Sequence, residues 1–280
     1  MNTQTLTVPI RSDKLTLSAQ IKSHLCHRKS QFQTIDIVDT EAFGRVLTLD
    51  GHIQLTELDE RAYHEFLVQV PLLSIPDPQS ALVVGGGDGG VLREICKHKS
   101  IRHIDMAEID EAVVEESKRH LPFVSDGAFD DPRVHLHITD AFAFLKNVDR
   151  KYDLIVADST DVYEEDDGGL SEQLFTSEFY TDCLRALSPR GVVVTQADNI
   201  LFCPYSLEHI SAMFGEVFEN TGSYFAVIPS FGGFSGYCWG SAGAKVNAKF
   251  PREGAQRISL SALTKASYEY GMERLALGLT

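Results

Sequence analysis

The sequence predicts an α/β protein in two parts, a small antiparallel β-unit followed by a larger doubly wound sheet domain. Three observations predict it. The first ~56 residues alternate apolar and polar positions around turn signals, as strands do. Two prolines in Ser74-Ile75-Pro76-Asp77-Pro78 then stop the chain and suit a linker. After Gln79, short apolar runs alternate with amphipathic segments, the rhythm of a parallel sheet wrapped by helices. The expected division is residues 1–75, strands with a linking helix, and residues 76–280, the sheet domain.

In the first part, Gln33 to Val38 sets Ile35 and Ile37 on one face. Leu47 and Leu49 precede Asp50-Gly51, and Ile53 and Leu55 follow it. Asp-Gly between alternating apolar runs signals a two-residue hairpin. A helix is expected from about Glu57 to Leu73. In the second part, strands are expected at Ala81–Val84, Ile104–Glu108, Val134–Ile138, Leu154–Ala157 and Val192–Gln196. Helices are expected near Val91–His98, Glu111–His120, Ala141–Lys146, Ser177–Leu187 and Ser206–Phe218. Strand-like runs at Tyr224–Ile228 and Gly236–Trp239 close the domain.

Composition narrows the function. Of 280 residues, 43% are apolar and 23% charged, an ordinary globular balance. The net charge of −15 comes without a local basic cluster, which argues against nucleic acid and suits a cationic small molecule. No run approaches the ~20 apolar residues of a membrane span, and Met1–Lys14 has no apolar signal core. Cys26, Cys96, Cys183, Cys203 and Cys238 are odd in number and widely spaced. They fit a reducing, cytoplasmic setting rather than a disulfide frame. No ligand spacing implies a metal.

In a doubly wound sheet, ligands bind beyond the carboxyl ends of the strands, and here each of four strand ends carries an acid. The first ends in Gly85-Gly86-Gly87-Asp88-Gly89-Gly90, where missing side chains allow close approach to the backbone. Gly85-x-Gly87-x-x-Gly90 matches the dinucleotide fingerprint, with Glu108 about 18 residues further on. Asp88 would repel a pyrophosphate but attract an ammonium or sulfonium, which turns the reading toward an S-adenosyl sulfonium compound. Glu108 can accept both ribose hydroxyls, while Asp110 suits a helix cap. Asp140 can cap the next helix or accept from an adenine amine, with small Ala141 leaving room for the ring. Asp158-Ser159-Thr160-Asp161 puts two carboxylates where the reacting centre should lie.

These residues carry a resemblance. Phe43 to Gly51, Asp59-Glu60-Arg61-Ala62-Tyr63-His64-Glu65, Val83 to Glu94, Glu108-Ile109-Asp110 and Asp158 to Asp161 together resemble the polyamine aminopropyltransferases, the spermidine and spermine synthases, and most of all spermidine synthase. The similarity covers about residues 28 to 240. It implies a Rossmann-like domain of the class I methyltransferase type behind the small β-domain, and a homodimer or homotetramer. It implies transfer of an aminopropyl group from decarboxylated S-adenosylmethionine, a co-substrate rather than a permanently bound cofactor, to a small cationic amine. Putrescine, giving spermidine and methylthioadenosine, comes first. By the match, Gln33, Glu108, Asp140 and Ala141 hold the thioadenosine beside the Gly85 and Gly87 turn. Asp88 holds the aminopropyl ammonium. Tyr63, His64, Ser159, Thr160, Asp161, Gln196 and Phe231 border the amine, and Asp158 accepts its proton.

The sequence departs from the family pattern in three places. Val162 to Leu170, rich in Glu and Asp, replaces a shorter Pro-x-Gly-Pro-Ala loop over the donor; it reads as a solvated lid or as an acidic gate for a longer amine. Ile228-Pro229-Ser230-Phe231 replaces Ile-Pro-Thr-Tyr, and Phe231 cannot supply the tyrosine hydrogen bond, leaving Ser230, Tyr237 or water for it. After Tyr268-Glu269-Tyr270, similar to the family's aromatic tail pair, the usual following segment is absent. Competing readings are a longer acceptor or agmatine, a small-molecule methyltransferase on the same fold, a nicotinamide oxidoreductase, and a polyamine or thionucleoside binder without turnover.

Overall fold

The alternating first fifth of the chain folds into a five-stranded antiparallel sheet in the computed structural model, which describes residues 4–11, 14–159 and 174–273. Its strands run in sequence order: β1 (Thr5–Arg11), β2 (Leu15–Lys29), β3 (Thr34–Thr40), β4 (Gly44–Leu49) and β5 (His52–Thr56). Period-two alternation buries Ile35, Ile37, Leu47, Leu49 and Leu55 on one face. Asp50 and Gly51 both have positive φ, 47° and 81°, so the β4–β5 turn is of the primed kind whose twist matches a hairpin.

Helix α1 (Glu60–Leu72) follows. The sequence assigns it to the N-terminal unit as a linker. Its packing is with the larger sheet: Phe66, Leu67 and Val70 share a core with Val83, Leu154, Tyr224 and Tyr237. The physical reason is its surface, since eleven of its thirteen residues are buried and one small sheet could not cover them.

The second part comprises β6 (Ser80–Gly85), α2 (Gly90–Cys96), β7 (His103–Glu108), α3 (Glu111–His120), α4 (Pro122–Ser125), β8 (Val134–Ile138), α5 (Ala141–Asn147), β9 (Tyr152–Asp158), α6 (Ser177–Ala186), β10 (Leu187–Asn199), α7 (Pro204–Val217), β11 (Asn220–Ile228) and β12 (Gly233–Ser241), with short α8 (Arg252–Ala255) and α9 (Lys265–Gly271) behind. The sheet order is β11-β12-β10-β9-β6-β7-β8. Strands β6 to β10 pair in parallel, and β12 joins antiparallel to β10. Central strands β6 and β9 carry unbroken buried apolar runs, Ala81 to Val84 and Leu154 to Ala157, because both faces are covered: α1 and α2 on one side, α5, α6 and α7 on the other. The N-terminal sheet packs Ile35, Ile37 and Leu47 against Val113 of α3, Leu121 between the two helices and Val124 of α4.

Strand β6 leads outward to β7 and β8, and the chain then returns to lay β9 on its other side. The carboxyl ends of β6 and β9 therefore diverge at a switch point, where Gly85 and Asp158 are paired across the strands. No helix among the described residues is long and apolar enough to cross a membrane.

Candidate active site

A cavity of about 380 Å³ opens at this switch point, in the range of small-molecule sites. Gly85, Gly86, Gly87 and Asp88 form its floor, and Glu108, Asp140, Ala141, Asp158, Ser159 and Gln196 stand at neighbouring strand ends. The N-terminal sheet closes it from the other side with Gln33 and the β4–β5 turn.

The glycines are needed by the protein itself. A Cβ on Gly85, at φ +75°, would meet the Asp158 carbonyl at 2.3 Å, and one on Gly90 would meet the His64 ring at 2.3 Å. The Gly86 amide donates to the Asp158 carbonyl at 2.9 Å, tying the two strand ends together. Close packing, as much as ligand approach, accounts for this glycine run.

On one side, Glu108 is 7% exposed and accepts from the Asp110 amide at 2.8 Å. Burial, with the nearby charges of Asp110 and Asp88, pushes its carboxyl up to about 7 despite the backbone N–H groups it accepts. Asp110 caps α3 through the Ala112 amide, and its other oxygen accepts from Gln33 Nε2 at 2.9 Å and Ser30 Oγ at 2.7 Å. That contact turns Gln33 into the cavity across the junction between the two sheets. Asp140 caps α5 through the Phe142 amide at 3.0 Å and also lines the cavity, so both expected uses of it are open at once.

On the other side, Asp158 Oδ1 accepts from the Tyr63 hydroxyl at 2.7 Å. The surrounding protein and the Asp88 charge push Asp158 up to about 6, while His64 and the Tyr63 hydrogen bond pull the other way. Ser159 Oγ is buried and has no hydrogen-bond partner among the described residues. Gln196 donates to the Ser159 carbonyl at 3.1 Å and accepts from the Asp198 amide at 2.9 Å, which fixes its amide. Phe231 lines the cavity and packs edge-on against Tyr63 at 5.5 Å.

Several expectations change. His64 does not line the cavity: it is 1% exposed, behind Asp88, with Nε2 3.3 Å from Asp88 Oδ1 and Nδ1 2.9 Å from Glu60 Oε2. Burial opposes its charge, but Asp88 and Glu60 outweigh that and push its pKa up to about 10. Donor atoms of His64, Asp88 and Asp158 all lie within 4.8 Å of one another. Ser230 and Tyr237 do not replace the missing tyrosine hydroxyl. Ser230 Oγ donates to Asp59 at 2.8 Å, Tyr237 is fully buried, and its hydroxyl donates to the Tyr63 carbonyl at 3.4 Å. Thr160, Asp161 and the acidic run Val162 to Leu170 lie outside the described residues.

Sequence reasoning missed Asp198 and Asn199, both on the cavity wall. Asp198 sits at φ +59°, and its carboxyl is pushed up by burial. The signal was present: an acid at a strand's carboxyl end. The local pattern hides it by ending β10 at Gln196, whereas the strand runs to Asn199.

A glycine-rich strand end, acids on successive strand ends and a half-enclosed carboxylate at the switch point make up a small-molecule site of the α/β enzyme class. The chain belongs to the spermine/spermidine synthase family and is an enzyme of the aminopropyltransferase type. Residues 60–250 match the family model described as the spermine/spermidine synthase domain, and residues 7–57 the spermidine synthase tetramerisation domain, which supports assembly into an oligomer. A polyamine aminopropyltransferase of Thermoanaerobacter sp. (strain X514) is 41% identical over 223 residues, 80% of this chain and 78% of that protein. Spermidine synthase 2 of Datura stramonium is 44% identical over 216 residues, 76% of this chain and 66% of that one. The crystal structure of spermidine synthase from Thermotoga maritima superposes with a TM-score of 0.86 at 26% identity, covering 98% of this chain and 92% of that one. A spermidine synthase in complex with the transition-state analogue AdoDATO gives a TM-score of 0.86 at 26% identity, covering 97% and 92%.

Proposed function

We propose that this enzyme moves the aminopropyl group of decarboxylated S-adenosylmethionine to putrescine, giving spermidine and methylthioadenosine. The observation that carries the reading is the meeting of Asp88 and Asp158 at the β6–β9 switch point, beside a cavity lined by Glu108 and Gln33. Glu108 would take the ribose, Asp140 and Ala141 the adenine, and Gln33 the region of the sulfur. Asp88 would hold the donor's ammonium, an interaction that disfavours ordinary S-adenosylmethionine because its carboxylate would face Asp88. Tyr63, Ser159, Gln196 and Phe231 would border the acceptor. Assembly as a homodimer or homotetramer belongs to the same reading.

The step balances without a cofactor. The acceptor arrives as an ammonium of pKa about 10.4, by analogy with lysine, and must lose a proton before it can attack. Asp158 would take that proton. The nitrogen lone pair then forms the new C–N bond, the C–S bond breaks, and its electron pair stays on sulfur as a neutral thioether that needs no acid. A carboxyl raised to about 6 is a better-matched base than an ordinary aspartate, and desolvation of the amine narrows the remaining gap.

A second reading keeps the chemistry but lengthens the acceptor to spermidine. It is favoured by Asp198 as a further carboxylate on the wall and by the bare Phe231 ring. The test is incubation with the decarboxylated donor and, separately, putrescine, cadaverine, agmatine, spermidine and spermine, with product masses read out. Spermidine from putrescine supports the first reading, and product from spermidine alone the second. Methyl transfer from intact S-adenosylmethionine, or no product at all, would overturn both.

A further inference from the structure

Part of the resemblance-bearing motifs has no place in the chemistry above: Glu60 beside His64, and Arg93 and Glu94 after the glycine run. The fold brings them together beneath the cavity. Glu60 Oε2 stands 2.9 Å from His64 Nδ1 and 2.9 Å from Arg93 Nη2, and Arg93 Nη1 donates to Glu60 Oε1 at 3.0 Å. Arg93 is held in turn by Glu94 at 2.9 Å and by the Val124 carbonyl at 2.6 Å. Side-chain exposures are 1% for Glu60, 1% for His64, 5% for Arg93 and 0% for Glu94. The chain runs from Arg93 through Glu60 and His64 to Asp88 Oδ1, on the cavity floor.

We infer that His64, clamped by Glu60 and Arg93, is a positioning residue: a permanently charged counter-cation that keeps Asp88 and Asp158 ionised side by side. Burying a full charge is costly unless it is paired, and this one is paired on both ring nitrogens. Two carboxylates at one site otherwise share a proton, which would disable either the ammonium holder or the base. His64 is faced by Glu60 from its own helix, by Asp88 from the β6–α2 loop, by the charge of Asp158 from β9 and, through Glu60, by Arg93 from α2. The Tyr63 ring stands edge-on to it at 5.2 Å. A Cβ on Gly90 would meet the imidazole, so the glycine run also makes room for this cation. The inference rests on the proposed reading for the roles of Asp88 and Asp158.

The first measurement needs only the wild-type protein. Imidazole carbon and nitrogen shifts, with His64 assigned by its loss in His64→Gln, should show a charged ring from pH 6 to 8.5. A neutral ring at pH 7.5 would overturn the inference whatever the enzyme's activity. In Glu60→Gln, Arg93 is left beside the imidazole without the anion between them, so the same shifts, followed in both proteins on through the alkaline range until the ring is neutral, should show His64 titrating at least one pH unit lower. An unchanged titration would remove Glu60 from the proposal. The second measurement is the pH profile of kcat/KM in His64→Gln. Removing the cation should raise the acid limb by about one unit, so that activity well below the limb falls about tenfold while the plateau changes less. A profile that is only scaled down would mean a structural role. Wild-type protein without aminopropyl transfer would instead count against the proposed function, leaving the shift measurement to judge His64 separately.

Discussion

Two aspartates of the larger sheet, Asp105 near the start of β7 and Asp158 at the end of β9, behave in opposite ways. Asp105 accepts three hydrogen bonds, each 2.7 Å, from His103 Nε2, His137 Nε2 and the Tyr152 hydroxyl. Burial pushes its carboxyl up, but these donors outweigh burial and hold it below the usual carboxylate range. Among the described residues Asp158 receives one side-chain donor, Tyr63; it has Asp88 nearby and is pushed up to about 6. The difference separates a carboxylate satisfied by its neighbours from one left with capacity for a ligand. Glu108, at the other end of β7 from Asp105, falls on the Asp158 side, raised to about 7. Within one strand, the amino-terminal acid is saturated and the carboxyl-terminal acid faces the cavity.

The comparison can be broken by paired substitutions. The largest effect is expected from Asp158→Asn, which should lower kcat by about 10²- to 10⁴-fold while leaving the melting temperature equal or higher. Steady-state kinetics with thermal unfolding would check it, and a collapse of the fold would place Asp158 with Asp105. Asp88→Asn should come next, raising KM for the donor about tenfold or more as a charged contact is lost. An unchanged donor KM would remove Asp88 from the donor side.

Smaller effects sharpen the contrast. Tyr63→Phe removes the hydrogen bond that lowers Asp158, so its pKa should rise and the acid limb of kcat/KM should move up by about one unit. In the wild type that limb should lie near pH 6, activity falling as pH drops because a protonated Asp158 cannot accept a proton. Asp105→Asn should reverse the pattern, costing about 2 kcal/mol of stability by denaturant unfolding with kcat nearly unchanged. Because Asp105 is depressed in the folded state, its stabilisation is complete above the unfolded value of about 3.8 and is lost as pH falls through the lower folded value. The variant should therefore show a shallower loss of stability on acidification, the smallest effect of the set.

Much of the fold was legible because its signals are local. Asp50-Gly51 announces a primed turn, Ile35 and Ile37 alternate, and Leu154 to Ala157 is an apolar run of strand length. Strand ends were less legible. Strand β10 runs past Gln196 because its pairing with β12 resumes at Asn199 after a register shift, a long-range event that no local pattern announces. Asp198 was lost with it. The layer that α1 joins was not legible either, since an apolar helix states that it is buried but not against which sheet.

By itself, then, the sequence determined the α/β class, the order of elements and the placing of an acid after each central strand. Repeat patterns and turn residues act over a few positions and need no partner. The tertiary structure alone decided what those acids became. Asp158 meets the hydroxyl of Tyr63, 95 positions away, and Ser30 meets Asp110 across 80. His64 sits in the same motif as Tyr63, yet the fold turns one residue to the cavity and buries the other against Glu60 and Asp88. Charge state follows from desolvation and from which charges lie within a few ångströms, and both are properties of packed neighbours rather than of the chain's order.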